Sequence, residues 1–227
     1  MMKKNNHLNR IITFSAIITI IGIIFSGPLG VLITSLVRPQ PTWENVDVFI
    51  ENYHPLQGLP FIFGFIMIIG FVGFISASAH FAETALEKTY GNMSLIFAAV
   101  YAGIIGTNYM IQMACVPNLF HVNKEMTGIL TMANPASVTW LLEMFGYAFL
   151  GISLWLMVPV IKGGKRMIYI KYLLIINGVA SILGAIITAI NIPWVLSVSG
   201  IISYIAWNAL IIAVMILVYL EYRGDRI

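Results

Sequence analysis

Residues 172–190 read YLLIINGVASILGAIITAI, nineteen positions without a charged side chain. As a helix, rising about 1.5 Å per residue, this run covers nearly the whole hydrocarbon core of a bilayer. Apolar residues occupy every face of that helix, so its surroundings must be apolar as well. Extended back to Ile168, it is one of six such runs: 11–37, 59–80, 93–116, 135–161, 168–190 and 195–219. The sequence therefore predicts an all-α, polytopic transmembrane helical bundle of six spans, organised as one membrane domain over residues 1–227.

Composition agrees. Hydrophobic residues make up 59% of the 227 positions and charged residues 9%, against about 25% charged in a soluble domain. Too few charges remain to coat a surface facing water. The net charge of +3 does not point to nucleic acid, because the basic residues sit in the connections rather than on one face. The lone cysteine, Cys115, excludes an intrachain disulfide and reads as a small packing residue. The first run follows Lys3, Lys4 and Arg10, yet it is longer than the apolar part of a secretory signal and lacks a small-x-small cleavage site, so it reads as a retained span.

Lys and Arg placement orients the bundle. With the N-terminus inside, the inner segments hold Lys3, Lys4, Arg10, Lys88, Lys162, Lys165, Arg166, Lys171, Arg223 and Arg226, and the outer ones hold only Arg38 and Lys124. Both termini are expected in the cytoplasm. Tyr90, Tyr169, Tyr172, Tyr219 and Tyr222 then flank inner ends, and Trp43, Trp140 and Trp194 flank outer ones, where such rings prefer the headgroup layer.

Between Pro41 and Pro55, Trp43, Val46, Ile50 and Tyr53 recur at helical spacing opposite Glu44, Asn45, Asp47, Glu51 and Asn52. This predicts a short amphipathic helix on the outer surface. Asn134-Pro135 is a helix-start signature, placing the beginning of span four there. Small residues mark packing faces in lipid, and three stripes run at every fourth position: Gly22, Ser26 and Gly30; Ala99, Gly103 and Thr107; Ala180, Gly184 and Thr188. Each is expected against a neighbouring helix, with a dimer face as the alternative. Pro28 and Pro159 fall inside predicted spans and should kink them. No repeat relates the first three spans to the last three.

The chemistry lies in a few polar residues. Span three runs outward and span four inward, so Gln112 and Glu143 both fall about 7 to 12 Å below the outer helix ends. Asn108 and Gln112 share a helix face, as do Thr139, Glu143 and Tyr147 on the next span, while Gly146 leaves room beside that ladder. Asn177, Trp207 and Asn208 lie deeper and are placed to floor the same cavity. A charged carboxylate within a span costs about 2.5 to 3.5 kcal/mol on insertion scales, so Glu143 should face the bundle interior and find donors. It either locks spans three and four together or forms a polar pocket open toward the outer face.

The elements N-Y-M-I-Q (108–112), N-P-A-S (134–137), L-E-M-F-G-Y-A-F-L-G (142–151) and V-P-V-I-K-G-G (158–164) resemble an uncharacterised family of six-span bacterial membrane proteins that carry N-Y-x-x-Q, N-P and E-x-x-G-Y elements. The matching region is 108–164, and the rest agrees in hydropathy and span number. The resemblance implies a bacterial inner-membrane location and assigns no role to Asn108, Gln112, Glu143 or Tyr147.

Other chemistries fit poorly. His7, His54, His80 and His121 lie in the tail, in connections or at a helix end, which disfavours a transmembrane haem; His80 with Glu83 offers only two metal ligands. No nucleophile elbow, zinc-protease helix or phosphate loop is present, Gly163-Gly164 reads as a tight turn, and Lys171 is too near an edge for Schiff-base chemistry. No cofactor is expected. Three functions remain. The first is the binding, sensing or transport of a small amphiphile or cation at a pocket formed by Glu143, Asn108, Gln112, Tyr147, Thr139, Asn177, Trp207 and Asn208. The second is an accessory or assembly role toward a membrane-protein partner or a second copy. The third, favoured least, is an intramembrane enzyme acting on lipid or isoprenoid, for which one carboxylate lacks a clear second player. Membrane lipid is the partner common to all three.

Overall fold

The computed structural model describes residues 6–223. Among them no strand occurs, and six helical stretches are long and apolar enough to cross a membrane: His7–Val37, Pro55–Ala79, Ala85–Leu119, Val138–Met157, Lys165–Ile190 and Val198–Tyr222. The chain is a multi-pass helical membrane protein whose outward apolar side chains meet lipid. Lys3, Lys4 and Arg226 lie outside the described residues. Six crossings bring residues 6 and 223 to one end of the bundle, here termed the terminal end; the opposite end is the cap end.

The first span is two helices, α1 (Asn6–Ser26) and α2 (Pro28–Val37). Pro28 has no amide to continue the ladder, and Gly27 accepts the break. A Cβ on Gly27 would stand 2.7 Å from the Tyr204 hydroxyl and 2.8 Å from the Ile23 carbonyl. Pro159, by contrast, kinks nothing, because α8 (Val138–Met157) ends before it. Helix α8 also starts later than Asn134-Pro135 suggests. Asn134 Oδ1 accepts from the Ala136 amide at 2.9 Å and its Nδ2 donates to the Gly128 carbonyl at 2.7 Å, making a turn. Ser137 then caps α8, its Oγ accepting from the Thr139 amide at 3.2 Å.

Helix α3 (Val46–Asn52) is the expected amphipathic helix, capped by Asn45 Oδ1 accepting from the Asp47 and Val48 amides at 3.0 Å each. Its anchor is Phe49, set edge-on to Phe120 with ring centroids 5.8 Å apart and packed with Val116. Helix α4 (Leu59–Ala79) leads to α5 (Ala85–Met110), which passes through one π-wound turn, Ile111–Cys115, into α6 (Val116–Leu119). Thr84 and Glu87 form a capping box at the start of α5, so this span begins before the apolar run at 93 does. Helix α7 (Lys124–Leu130) joins α3 and α6 over the cap end, with Lys124 paired to Asp47.

Helices α9 (Lys165–Ile190) and α10 (Val198–Tyr222) complete the bundle. Helices pack along the seams α1–α4, α4–α5, α5–α8, α8–α9, α9–α10 and α10–α1, closing a ring. Small residues set the approach: a Cβ on Gly22 would lie 2.5 Å from the Met67 backbone, and one on Gly151 would lie 3.0 Å from Gly178 Cα. Ser94 and Ser153 tie α5 to α8 by reciprocal bonds, each Oγ donating to the other's carbonyl at 2.8 and 2.7 Å. The stripe in α5 departs from expectation. Ala99, Gly103 and Thr107 are exposed, and nothing lies within 4 Å of a Cβ on Gly103. Gly184 and Thr188 are buried while Ala180 faces outward.

The core is lopsided. In α8, α9 and α10 every buried apolar side chain larger than alanine lies in the terminal half: Leu150, Leu154 and Met157; Met167, Ile170 and Leu174; Ile211, Val214, Met215, Val218 and Tyr222. The cap halves bury small or polar residues instead, among them Thr139, Glu143 and Gly146, Ser181 and Gly184, and Gly200 and Asn208. At the terminal end, Lys162 pairs with Glu83 at 2.8 Å and with Glu87 at 3.1 Å.

Candidate functional site

Glu143 projects from the second turn of α8 toward α5, and its carboxylate is held by two neutral donors. Asn108 Nδ2 donates to Oε2 at 2.8 Å, and the Tyr109 hydroxyl donates to Oε1 at 3.0 Å. Among the described residues no Lys, Arg or His forms an ion pair with it. The acid is thus neither turned to lipid nor matched by a cation. Tyr109 extends the network to the Tyr147 hydroxyl at 3.1 Å. Tyr109 escapes the sequence reading, although it stands between Asn108 and Gln112; a phenol one residue from a buried amide is the signal that identifies it.

Aromatic rings surround this network. The Tyr147 ring lies 4.7 Å from that of Trp207 in an edge-on arrangement and 5.9 Å from that of Tyr101. Tyr109 contacts Phe61 and Phe65 at 5.5 and 5.9 Å. Trp207 is fixed by its Nε1 donating to Ser181 Oγ at 2.9 Å. A carboxylate among ring faces is an environment suited to an ammonium-type cation, which both the charge and the ring quadrupoles attract.

The remaining predicted residues divide into two groups. Gln112 and Thr139 do not join Glu143; they hold the segment that roofs it. Gln112 Nε2 donates to the Leu130 carbonyl at 2.8 Å and its Oε1 accepts from the Met132 amide at 2.9 Å, while Thr139 Oγ1 donates to Leu130 at 3.0 Å. Met132 in turn rests its sulfur on Asn108 Nδ2 at 3.6 Å. Gln112 lies one turn nearer the cap end than Asn108, at the height of the 130–132 backbone, which takes both of its amide atoms. Asn208 bonds within its own helix, its Nδ2 donating to the Tyr204 carbonyl at 2.7 Å. Asn177 is fully buried, and neither its Nδ2 nor its Oδ1 has a hydrogen-bond partner; the Tyr101 hydroxyl and Asn108 Oδ1 are likewise unpartnered. Unsatisfied groups of this kind are costly in a packed interior and accumulate where polar ligands or waters bind.

No cluster of three or more His, Cys, Asp or Glu able to hold a metal occurs among the described residues. A cavity of about 340 Å³ opens between α5, α8 and α9 near the terminal end, lined by Tyr90, Ile152, Trp155, Leu156, Val158, Pro159 and Ile175; it is apolar and remote from Glu143. No protein family, curated protein or solved structure matches this chain.

Proposed function

We propose that the protein binds a small cation or cationic amphiphile at Glu143, as a membrane sensor or carrier. The observation that carries the reading is the carboxylate itself, held by neutral donors near aromatic rings with no cation from the described residues paired to it. A bound ammonium group supplies the missing charge, and burial of the acid sharpens selectivity for it. Asn108, Tyr109 and Tyr147 orient the carboxylate, Trp207 closes the far wall, and Gln112 with Thr139 fixes the roof. The excess of Lys and Arg at the terminal end supports cytoplasmic termini. The N-Y-M-I-Q, N-P and E-M-F-G-Y elements support membership of the six-span bacterial family and an inner-membrane location.

The test is equilibrium binding of tetraphenylphosphonium to the purified protein in nanodiscs, beside Glu143→Gln. The amide keeps the shape and removes the charge. Saturable binding to the native protein, weakened at least tenfold in Glu143→Gln while the melting temperature stays within a few degrees, is the expected result. Equal affinity in both proteins rules the reading out.

A further inference from the structure

Helix α10 changes character halfway along. Gly200, Tyr204, Asn208, Ile211 and Met215 succeed one another at steps of three or four residues and form the stripe that faces into the ring. Asn208 and Ile211 are 4% and 0% exposed, as befits that face, yet Tyr204 on the same stripe is 44% exposed. The six consecutive residues 201–206 are all exposed. A helix packed closely on one side buries some member of such a run, so the cap half of α10 packs loosely against the ring and leaves its inward Tyr204 partly open. The break at Gly27-Pro28 lies opposite, with the Tyr204 hydroxyl against Gly27.

A chain of contacts joins this loosely packed face to Glu143: Trp207, one turn further in than Tyr204, touches Tyr147, whose hydroxyl meets Tyr109 on Glu143. Beyond Trp207 the way is shut by Leu150, Leu154, Leu174, Ile211 and Val214, each at 0% exposure. An approach to the acid along this face therefore comes from the cap end and the leaflet there. The residues along it differ: an acid and aromatic rings inside, and the apolar Ile201 and Ile205 toward lipid.

From this arrangement we infer that the site takes a single-chain ammonium amphiphile from the cap-end leaflet, its head at Glu143 between Tyr204, Tyr147 and Trp207, and its hydrocarbon tail leaving past the cap half of α10. The inference rests on cation binding at Glu143 and adds to it a lateral opening, a tail and a role for Tyr204 in selecting the head group.

The test uses full-length protein in liposomes with Cys115→Ser as background. A cysteine is placed at Ser203, which flanks the inward stripe, or at Ile202, which faces lipid, and reacted with a membrane-impermeant maleimide. Ser203→Cys is expected to label at least tenfold faster than Ile202→Cys. Dodecyltrimethylammonium, below its micelle concentration, should slow the Ser203→Cys reaction at least tenfold, and tetramethylammonium should need at least ten times the concentration for the same protection. Equal rates at the two positions remove the opening, whether or not tetraphenylphosphonium binding depends on Glu143. Equal protection by the chain-bearing and compact cations removes the tail seat while leaving the head site intact. Loss of Glu143-dependent binding in the native protein overturns the reading beneath both.

Discussion

Asn108 is the residue on which the acid most directly depends. Its amide is buried, and its Nδ2 is the one donor to Glu143 Oε2 among the described contacts. Asn108→Leu leaves that oxygen without a donor and should lower unfolding free energy by about 1–3 kcal/mol. The double variant Asn108→Leu/Glu143→Leu should recover most of this, because removing both partners leaves no stranded group. Titration with sodium dodecyl sulfate, read by tryptophan fluorescence, measures the three proteins; strictly additive losses would show that the pair is not coupled. That spans three and four bring polar residues to a shared depth was legible in the sequence, but the residue matched to Glu143 there was Gln112, not Asn108. The partner set was less so. Tyr109 donates to the acid from a position next to Asn108, and Gln112, one turn nearer the cap end, gives both its amide atoms to the backbone of Leu130 and Met132. Nothing in the spacing along one helix announces the loop that folds back onto it.

At the scale of helices, the glycines divide cleanly by what faces them. On Gly22 a Cβ would meet Met67 backbone atoms at 2.5 and 2.6 Å, which cannot yield, whereas on Gly103 it would meet nothing within 4 Å. Gly22→Ala should therefore destabilise by about 1–3 kcal/mol through forced separation of α1 and α4. Gly103→Ala should be neutral or stabilising by up to about 1 kcal/mol, since it removes backbone freedom from the unfolded chain. The same unfolding titration decides; a loss at Gly103 would mean that a second copy packs on that face. Sequence spacing treated the two stripes alike, because it registers small side chains and not which side of the ring they face. It also placed the start of span four at Asn134-Pro135 and a kink at Pro159. Both residues belong to turns, since Ser137 supplies the cap and α8 ends at Met157. Hydropathy finds spans well, and hydrogen bonds to caps set where they begin. Phe49 was overlooked for a related reason: its partners, Val116 and Phe120, come from a distant segment.

Taken whole, the molecule is fastened at its terminal end by charge and closed there by apolar packing. Glu83, and then Glu87, hold the Lys162 ammonium above its usual range through hydrogen bonds. A raised lysine value means that this contribution is complete below about pH 10.4, the unfolded value, and fades as pH climbs through the higher folded one. Lys162→Met should lower the melting temperature at neutral pH. That difference should shrink in high salt and vanish in strong alkali, which calorimetry across a pH and salt series would show. A difference unchanged by either would assign the effect to packing of the lysine stem.

The side chains beneath Trp207 bear on what kind of machine this is. Leu150, Leu154, Leu174 and Ile211 fill the way to the terminal end, and wetting side chains of that size costs about 1.5–3 kcal/mol apiece. Hydrating all four at once would demand roughly 6–12 kcal/mol, whereas micromolar association releases only about 8. A guest held at that strength has little surplus with which to force the barrier. Onward passage would have to draw on an ion gradient or another driver, while reception on one side, answered by rearrangement of the roof around Met132, requires none.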